Sequence, residues 1–462
     1  MIVKYLLVLP ALMFSSLAIA QDLTHPTKMD LPESVFSRPD PSDYQILLDN
    51  GLTAYIARAD QVPLVTLSAF IRAGKVSDEK EGSAEVLLDA LLYGGPEGQS
   101  PEGFKDVIRL MAADFSVEMH DEWTEISLNI PKEDLDIALP IFSALIRSPA
   151  VTDAALANVS GKTEAEIGAV EALSLSSATF ALADAVERFY EVLYADHPYG
   201  RRPTVEDFSN LTVDDVNDFH ETFFVPANMT LAIAGDINEA DVRASVRDLF
   251  GDMQAREAPP PRQMPAIEFE KAEQHTYPVK RLQSWLVIGQ ELPAVPLEDQ
   301  SALDVMNYIL AAEHLHARML TNTRVLYGYT NDASGFLEDR WFGPGSYTFR
   351  SYSRPEVIKP LYEEMMSAIR SMQAEEVTAE ELFIAKGALR DGTFPIRYLD
   401  GYSTARDFAI EWLRYGDHSR SASYTDRVGA VTAEDVFNMA NKYIRTNSMQ
   451  IVLLGEAASL LE

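Results

Sequence analysis

The chain has 462 residues, of which 47% are hydrophobic and 24% charged, so it can bury cores in roughly two to four domains. Its 71 acidic and 38 basic side chains give a formal net charge of −33, which disfavours binding to nucleic acid or to anionic lipid. The sequence contains no cysteine, which excludes disulfides, thiolate metal sites and cysteine nucleophiles.

The first 20 residues have the pattern of a secretory signal peptide. Lys4 supplies a positive charge, Tyr5–Leu17 is an apolar run, and Ala18-Ile19-Ala20 offers the small side chains of a cleavage site. The apolar run is too short to cross a bilayer as a mature helix. We expect cleavage after about Ala20, export to a bacterial periplasm, where a cysteine-free chain is well suited, and no membrane insertion.

Strand-like and helix-like patterns alternate along the rest of the chain. Strand-like runs occur at Tyr44–Ala57 and Leu64–Ala73 in the first half and at Arg281–Gly289 in the second. Helix-like patterns follow, such as Ala84–Leu92 and Ser301–Leu320. Mixed strands and long helices predict an α/β (α+β) fold in which each half is a mixed β-sheet packed with helices.

An internal repeat relates the two halves. Leu211–Val216 matches Val431–Val436 at an offset of 220 residues, and the match continues without a gap to Gly235-Asp236 and Gly455-Glu456. Each copy has the pattern of a threonine N-cap with acidic residues in the first turn, an amphipathic helix and an alternating strand. The sequence therefore indicates a tandem duplication of one fold.

A proline-rich segment separates the two copies. Residues 253–266 contain Pro259, Pro260 and Pro261, which cannot continue a helix or a central strand. We expect a stiff extended linker there, between an N-terminal half of residues 21–252 and a C-terminal half of residues 267–462.

A set of short landmarks occurs in an order typical of one protein family. The landmarks are Asn50-Gly51-Leu52, Ala73-Gly74-Lys75, Gly82-Ser83-Ala84, Asp196-His197-Pro198-Tyr199-Gly200, Pro226-Ala227-Asn228-Met229 and Ala234-Gly235-Asp236. With the duplication, they make the chain similar to the insulinase/pitrilysin-type zinc peptidases, which include the mitochondrial processing peptidases. The resemblance covers nearly all of the chain beyond the signal peptide. It implies that the two homologous halves form one half of a clam-like chamber.

Active members of that family carry H-x-x-E-H on the first long helix, with two histidine ligands and a glutamate base. Aligned on Gly82, this chain has Glu85, Leu88 and Asp89 at those three positions, and Glu166, with Glu164 as an alternative, where a later glutamate ligand is expected. Oxygen-only ligands favour Ca²⁺ or Mg²⁺ over Zn²⁺, and Leu88 cannot accept a proton from water. The resemblance thus implies a degenerate zinc site, with no catalytic residue, metal or cofactor in this chain.

Two interpretations of the acidic side chains on this helix remain open. A solvated or capped acidic helix face is favoured, and a metal bound only by carboxylates is the alternative. The histidines offer no substitute site. His314 and His316, two residues apart on a predicted helix, would point in different directions. His197 lies in a turn imposed by Pro198 and Gly200, which favours a structural role.

The second half carries a better functional signal. In the family, an arginine near a helix end and a tyrosine seven residues later contact the substrate backbone across the chamber from the zinc. Arg318, Arg324 and Gly328 fall on the family's Arg, Arg and Gly positions, so Arg324 is the candidate substrate-binding arginine. Ungapped spacing places Asn331 where the tyrosine is expected, while Tyr329 and Tyr327 lie nearer. An arginine and a phenol could hold a peptide carbonyl or an oxyanion.

These features suggest a non-catalytic subunit of a periplasmic heterodimeric zinc metallopeptidase. The expected partners are a homologous catalytic subunit that carries the zinc and a peptide substrate. Two alternatives remain: a peptide-binding or assembly protein without peptidase activity, and a stand-alone peptidase with an unrecognised metal site.

Overall fold

In the computed structural model, residues 36–161, 178–280, 282–456 and 459–461 are described. The signal peptide expected in residues 1–20, and Glu166 and its alternative Glu164 at the expected later glutamate ligand, lie outside this part. Arg38–Glu462 forms one unit, and residues 1–37 form another, of which only Phe36 and Ser37 are described.

The first half contains a six-stranded sheet in the order β1-β2-β6-β3-β5-β4. Neighbouring strands are antiparallel except β2 and β6, which are parallel. The strands are β1 (Gln45–Leu47), β2 (Thr53–Arg58), β3 (Leu64–Ile71), β4 (Asp114–Met119), β5 (Thr124–Pro131) and β6 (Met229–Gly235).

The second half contains a five-stranded sheet in the order β7-β11-β8-β10-β9, in which β7 and β11 are the parallel pair. The strands are β7 (Glu273–Tyr277), β8 (Ser284–Leu292), β9 (Ala333–Glu338), β10 (Gly345–Ser353) and β11 (Gln450–Leu454).

Helices connect and cover both sheets. In the first half they are α1 (Ser83–Asp89), α2 (Pro101–Leu110), α3 (Leu135–Arg147), α4 (helical residues 153–161), α5 (Ala178–Leu193), α6 (Val205–Asn210), α7 (Val213–Phe223) and α8 (Glu239–Phe250). In the second half they are α9 (Leu297–Ala311), α10 (Arg318–Leu320), α11 (Ile358–Ala374), α12 (Ala379–Gly387), α13 (Phe394–Ile396), α14 (Gly401–Tyr415), α15 (Ser419–Ala422), α16 (Tyr424–Ala430) and α17 (Ala433–Tyr443). Among these helices, none combines the length and apolar character needed to cross a bilayer.

The structure reproduces the repeat seen in the sequence. Thr53 pairs with Thr230 in parallel, and Glu273 pairs with Gln450 in the same way, each 220 residues further along. Both copies of the helix after the repeat's threonine begin with a capping box, in which the threonine hydroxyl and an aspartate carboxylate bond each other's backbone N–H groups. The predicted α/β fold of two similar halves is therefore confirmed.

Two sequence-based element predictions need correction. The run Tyr44–Ala57 is a hairpin of β1 and β2 rather than one strand, because Gly51 adopts a positive φ of 95° at the turn. The helix predicted over Ser301–Leu320 ends at Ala311, because the next residue is extended. His314 then caps the helix end, since its Nε2 atom lies 3.0 Å from the carbonyl of Tyr308.

The segment between the halves packs against both of them. Residues 254–269 contain no helix or strand. Arg262 donates a hydrogen bond to the carbonyl of Val76 at 3.1 Å, and Met264, Ile267 and Phe269 pack on a hydrophobic cluster built from the two halves. Residues 262–269 of the segment are therefore held against the two halves.

Each half covers the second face of the other half's sheet. Helix α5 of the first half packs on β8 and β11, and helix α14 of the second half packs on β2 and β6. Since α1 and α3, and correspondingly α9 and α11, cover the opposite faces, both sheets are buried on both sides. This explains why every residue of β6 and of β8 is buried.

We predict that Gly235→Ala and Gly455→Ala, at equivalent positions of the repeat, will each destabilise the protein by about 3 kcal/mol. Both have a φ near 145°, and a Cβ atom would lie 2.2 Å from the carbonyl oxygen of Leu64 at Gly235 and 2.4 Å from the hydroxyl of Ser284 at Gly455. Gly387→Ala is the control, since this helical glycine has open space around it. Urea unfolding should show a gain of about 0.5–1 kcal/mol for the control. Equal effects at all three positions would contradict this account.

Candidate functional site

The helix that corresponds to the family's zinc helix, α1, starts at a left-handed glycine. Gly82 has a φ of 96°, and the carboxylate of Asp78 accepts hydrogen bonds from the N–H groups of Gly82 and Ala84, both at 2.9 Å. Asp78 thus satisfies two of the donors that a helix start leaves open. Burial, with Glu85 nearby, raises the pKa of Asp78 to about 8.

Glu85 lies in surroundings that the sequence did not predict. The sequence favoured a solvated or capped acidic face, but Glu85 is largely buried, and its Oε2 atom has no hydrogen-bond partner among the described residues. Burial raises the pKa of the Glu85 carboxyl; Glu81 and Asp121 add to this, and Lys75 opposes it. An orphaned carboxylate oxygen is costly, so Glu85 carries an electrostatic penalty that the described residues offset only in part.

Leu88 and Asp89 occupy different surroundings from Glu85. Leu88 packs against the first hydrophobic core. Asp89 is 5% exposed, and both of its carboxylate oxygens accept hydrogen bonds from the Asn158 amide, at 2.9 and 3.0 Å. Over residues 36–161, 178–280, 282–456 and 459–461, no three His, Cys, Asp or Glu side chains are grouped so that they could hold a metal ion. The described donors therefore do not fit zinc.

A cavity of about 720 Å³ opens beside Glu85 where the two halves meet. The first half contributes Glu85 and Asp121, α5 contributes Tyr190 and Tyr194, and the second half contributes Arg340. Its basic side chains are Lys75, Arg201, Arg202, Arg340 and Arg350. The basic side chains of this lining can bind acceptor groups of a peptide.

Arg340 ties the cavity walls together. Its guanidinium forms salt bridges with Asp121 and, at 3.0 Å, with Glu338, and it lies 4.5 Å from the ring centroid of Tyr199. The hydroxyl of Tyr199 donates to Glu122, whose carboxylate also accepts the N–H groups of residues 341 and 342 at 2.7 Å. Sequence reasoning missed Arg340, because its partner Asp121 is 219 residues away.

The family landmark around His197 has a structural role in this region. His197 is 3% exposed, its Nδ1 atom accepts the N–H of Tyr199 at 3.2 Å, and its Nε2 atom lies 3.2 Å from the carbonyl of Pro265. Burial lowers the pKa of His197. The histidine therefore fixes the turn that places Tyr199 and anchors the segment between the halves.

The candidate substrate-binding residues lie together on an exposed turn of the second half. Arg324 belongs to the wide π-helical turn Thr321–Leu326, and its Nη1 atom donates to the backbone carbonyl of Asn331 at 3.0 Å. Tyr327 and Tyr329 stack with ring centroids 5.3 Å apart and planes 10° apart. The structure thus groups all four predicted residues, but Asn331 contributes its backbone rather than its side chain.

Arg318, the first arginine of this segment, has a different role. It forms a two-pronged salt bridge with Glu381, at 2.6 and 2.9 Å, and donates to Ser371 at 3.1 Å. The Arg318 guanidinium lowers the pKa of Glu381 to about 2. This pair anchors the start of the turn to α11 and α12, which leaves Arg324 as the exposed arginine of the two.

Comparisons with known proteins agree with this fold. A family model described as "Peptidase M16 inactive domain" matches residues 210–389. A zinc protease from Mycobacterium leprae is 24% identical over 269 residues, which cover 56% of this chain and 58% of the relative. Two further curated relatives are matched over 61% and 63% of their length, so the chain spans about three fifths of these proteins.

Solved structures show the same fold. A peptidase M16 inactive domain from Pseudomonas fluorescens has a TM-score of 0.74 and 18% identity, covering 90% of this chain and 98% of its own. The periplasmic protease PqqL from Escherichia coli has a TM-score of 0.70 and 16% identity, covering 92% of this chain and 47% of its own. At these identities, the likeness concerns the fold.

We predict that Glu85→Gln will stabilise the protein by about 1 kcal/mol at pH 8. Because folding raises the pKa of Glu85, its protonated carboxyl stabilises the protein fully below the unfolded-state pKa of 4.5. That stabilisation is lost as the pH rises through the folded-state pKa. The gain from Gln should therefore disappear in acid. Urea unfolding at several pH values measures it, with exposed Glu102→Gln as the control. A loss of stability in Glu85→Gln that a chelator reproduces in the wild type would instead indicate a carboxylate metal site.

Proposed function

The chain belongs to the insulinase/pitrilysin-type (M16) peptidase family, and we propose that it is a non-catalytic subunit of a periplasmic heterodimeric zinc metallopeptidase. In this role it supplies chamber wall and peptide contacts. A homologous partner carries the H-x-x-E-H helix and the zinc, and a peptide is the substrate.

The chemistry of α1 supports the non-catalytic part of the proposal. Leu88 stands where the family has its general base, and an alkyl side chain cannot take a proton from water. Asp89 is already engaged by Asn158. Glu85 remains as a single carboxylate on this helix, which is too few ligands for a zinc site.

The exposed turn that carries Arg324 is the observation on which the binding role rests. Arg324 is exposed and forms no salt bridge with any described acidic side chain, although its charge acts on the carboxyl of Asp332. One of the five N–H groups of Arg324 donates to the carbonyl of Asn331, which orients the guanidinium. The other N–H groups can donate to a ligand. The stacked rings of Tyr327 and Tyr329 lie on the same turn.

Such a turn suits the recognition of an extended peptide. A fixed guanidinium can hold a backbone carbonyl or a carboxylate through paired hydrogen bonds, and aromatic rings add contact area at low entropic cost. The net charge of −33 favours peptides that also carry basic residues, since these are attracted to an acidic surface.

Export to the periplasm is the remaining part of the proposal. It rests on the expected signal peptide, on the cysteine-free composition, and on the likeness to a protease whose title calls it periplasmic. A cleaved N-terminus near Gln21, read by sequencing of the protein from a periplasmic extract, is the expected result. An uncleaved chain in the cytoplasm would contradict it.

Co-purification tests the partnership. The chain should be recovered with a second chain of similar size that carries H-x-x-E-H, and peptidase activity should require both chains and be abolished by a chelator. A stable homodimer without activity would instead support a peptide-binding or assembly protein. Chelator-sensitive peptidase activity of the chain alone, restored by zinc, would overturn the proposal.

We predict that Arg324→Ala will lower kcat/KM of the two-chain complex by roughly 10- to 100-fold, the effect of losing a charged hydrogen-bond donor. Assembly should be unchanged, because the Arg324 side chain is exposed. Arg324→Lys should recover only part of the loss, since an ammonium keeps the charge but not the planar fork.

Arg109→Ala is the matched control for this measurement, since Arg109 is an exposed arginine of the first half paired with Asp106. Its kinetics should equal those of the unmodified complex. Unchanged kinetics in Arg324→Ala would remove Arg324 from the binding site.

A further inference from the structure

A second cavity, separate from the one beside Glu85, lies in the second half between α9 and α14. Its volume is about 720 Å³, within the range of pockets that bind small organic molecules. Leu303 and Asp304 line it from α9, Arg414 lines it from α14, and Trp341 closes one side.

Five arginines line this cavity: Arg397, Arg406, Arg414, Arg420 and Arg427. Three of them have carboxylate partners. Arg406 bonds Glu125 at 2.7 Å, Arg414 bonds Asp339 at 2.8 Å, and Arg397 lies 3.8 Å from Asp407. This concentration of positive charge stands out in a chain with 71 acidic and 38 basic residues.

Arg420 and Arg427 have no carboxylate within salt-bridge distance among the described residues. The guanidinium of Arg420 lies 3.9 Å from the ring centroid of Tyr415, and its Nη1 atom is buried without an acceptor. Arg427 donates only to neutral oxygens, those of Leu297, Ser301, Arg420 and, through Nε, Ser423. The Nε atom of Arg414, another residue of the lining, is also buried without an acceptor.

The acidic side chains of the lining are already engaged. Asp304 accepts the hydroxyl of Tyr424 at 3.2 Å, and burial raises its pKa to about 6. Glu411 accepts the N–H of Ser421 at 2.8 Å and lies 3.2 Å from the ring of His418. Asp407 accepts the hydroxyl of Tyr398 at 2.9 Å. The orphaned donors of Arg414 and Arg420 therefore have no acceptor within the described part of the chain.

The rest of the lining combines apolar and aromatic side chains with a few neutral polar ones. Trp341, Ile396, Tyr415 and Tyr424 face the cavity together with the arginines. Buried guanidinium N–H groups are costly unless they find an acceptor, and anionic oxygens are the acceptors that match a guanidinium best. The apolar surface favours a ligand with a hydrophobic body as well as an anionic group.

We propose that this cavity binds a small organic anion in which a carboxylate or phosphate is attached to an apolar or aromatic body. The anionic oxygens accept from the N–H groups of Arg420 that face the cavity, with the charges of Arg414 and Arg427 close by. The body lies against Trp341 and Ile396. This site does not depend on the proposed peptidase role.

Calorimetric titration of the full chain with hippurate, phenyl phosphate and inorganic phosphate tests the proposal. At least one of the first two should bind, and more tightly than inorganic phosphate, which lacks the apolar body. Tighter binding of hippurate assigns a carboxylate ligand, and tighter binding of phenyl phosphate assigns a phosphate ligand.

Arg420→Ala should weaken that binding by roughly 10- to 100-fold, while the control Arg109→Ala leaves it unchanged. Absence of binding at millimolar hippurate and phenyl phosphate, or equal binding by Arg420→Ala and the wild type, would overturn the proposal.

A second measurement does not need the arginine variant to fold. Trp341 lines the cavity and is one of four tryptophans, so a bound aromatic anion should change the tryptophan fluorescence in a saturable way. Trp341→Phe should remove that signal while calorimetric binding is retained. Saturable quenching that persists in Trp341→Phe would place the ligand elsewhere and overturn the assignment.

Discussion

The exchange of helices α5 and α14 is the constraint on which the rest of the structure depends. Each sheet gains its second cover from the other half, so neither sheet is buried on both faces by its own half alone. The contacts are close. A Cβ atom at Gly289 would lie 2.6 Å from the ring of Phe189 on α5, and Gly401 at the start of α14 approaches Ala57 and Ala59 in the same way. Because the second face of each sheet is covered only when both halves are present, and one hydrophobic cluster is built from both, we expect the chain to unfold as one cooperative unit.

Polar contacts where α14 crosses the first sheet strengthen this dependence. On α14, Arg406 pairs with Glu125, and Tyr402 bonds Ser68, so a helix of the second half satisfies polar groups of the first sheet. Tyr55, which is fully buried, lies 2.7 Å from the Nε2 atom of His418, a residue just after α14. Buried polar groups that lose their partners cost more than the bonds contribute when made. These contacts therefore favour one arrangement of the halves over other compact ones.

The sequence predicts what is local and misses what is long-range. The repeat was visible because threonine caps, acidic first turns and strand-ending glycines such as Gly235 are local requirements of the backbone. The end of α9 was missed, since His314 caps it through its side chain rather than through a glycine or proline. The spacing of Ala181, Ala185 and Phe189 shows that α5 has a buried face, but periodicity does not say which sheet covers it. Glu85 was interpreted as solvated for the same reason.

The duplication also explains why the chain has two cavities of similar size. Glu85 on α1 and Asp304 on α9 occupy corresponding places in the two halves, within one residue of the 220-residue offset. Glu85 lines a cavity that α5 also lines, and Asp304 lines a cavity that α14 also lines. The same arrangement of helices therefore encloses a cavity in each half. Glu85, which aligns with the family's zinc helix, lines the first cavity, whereas Arg420 and Arg427 line the second. The second cavity is lined by five arginines, and two of them have no carboxylate partner among the described residues, so the anion-binding proposal rests on these side chains rather than on the chemistry of the first cavity.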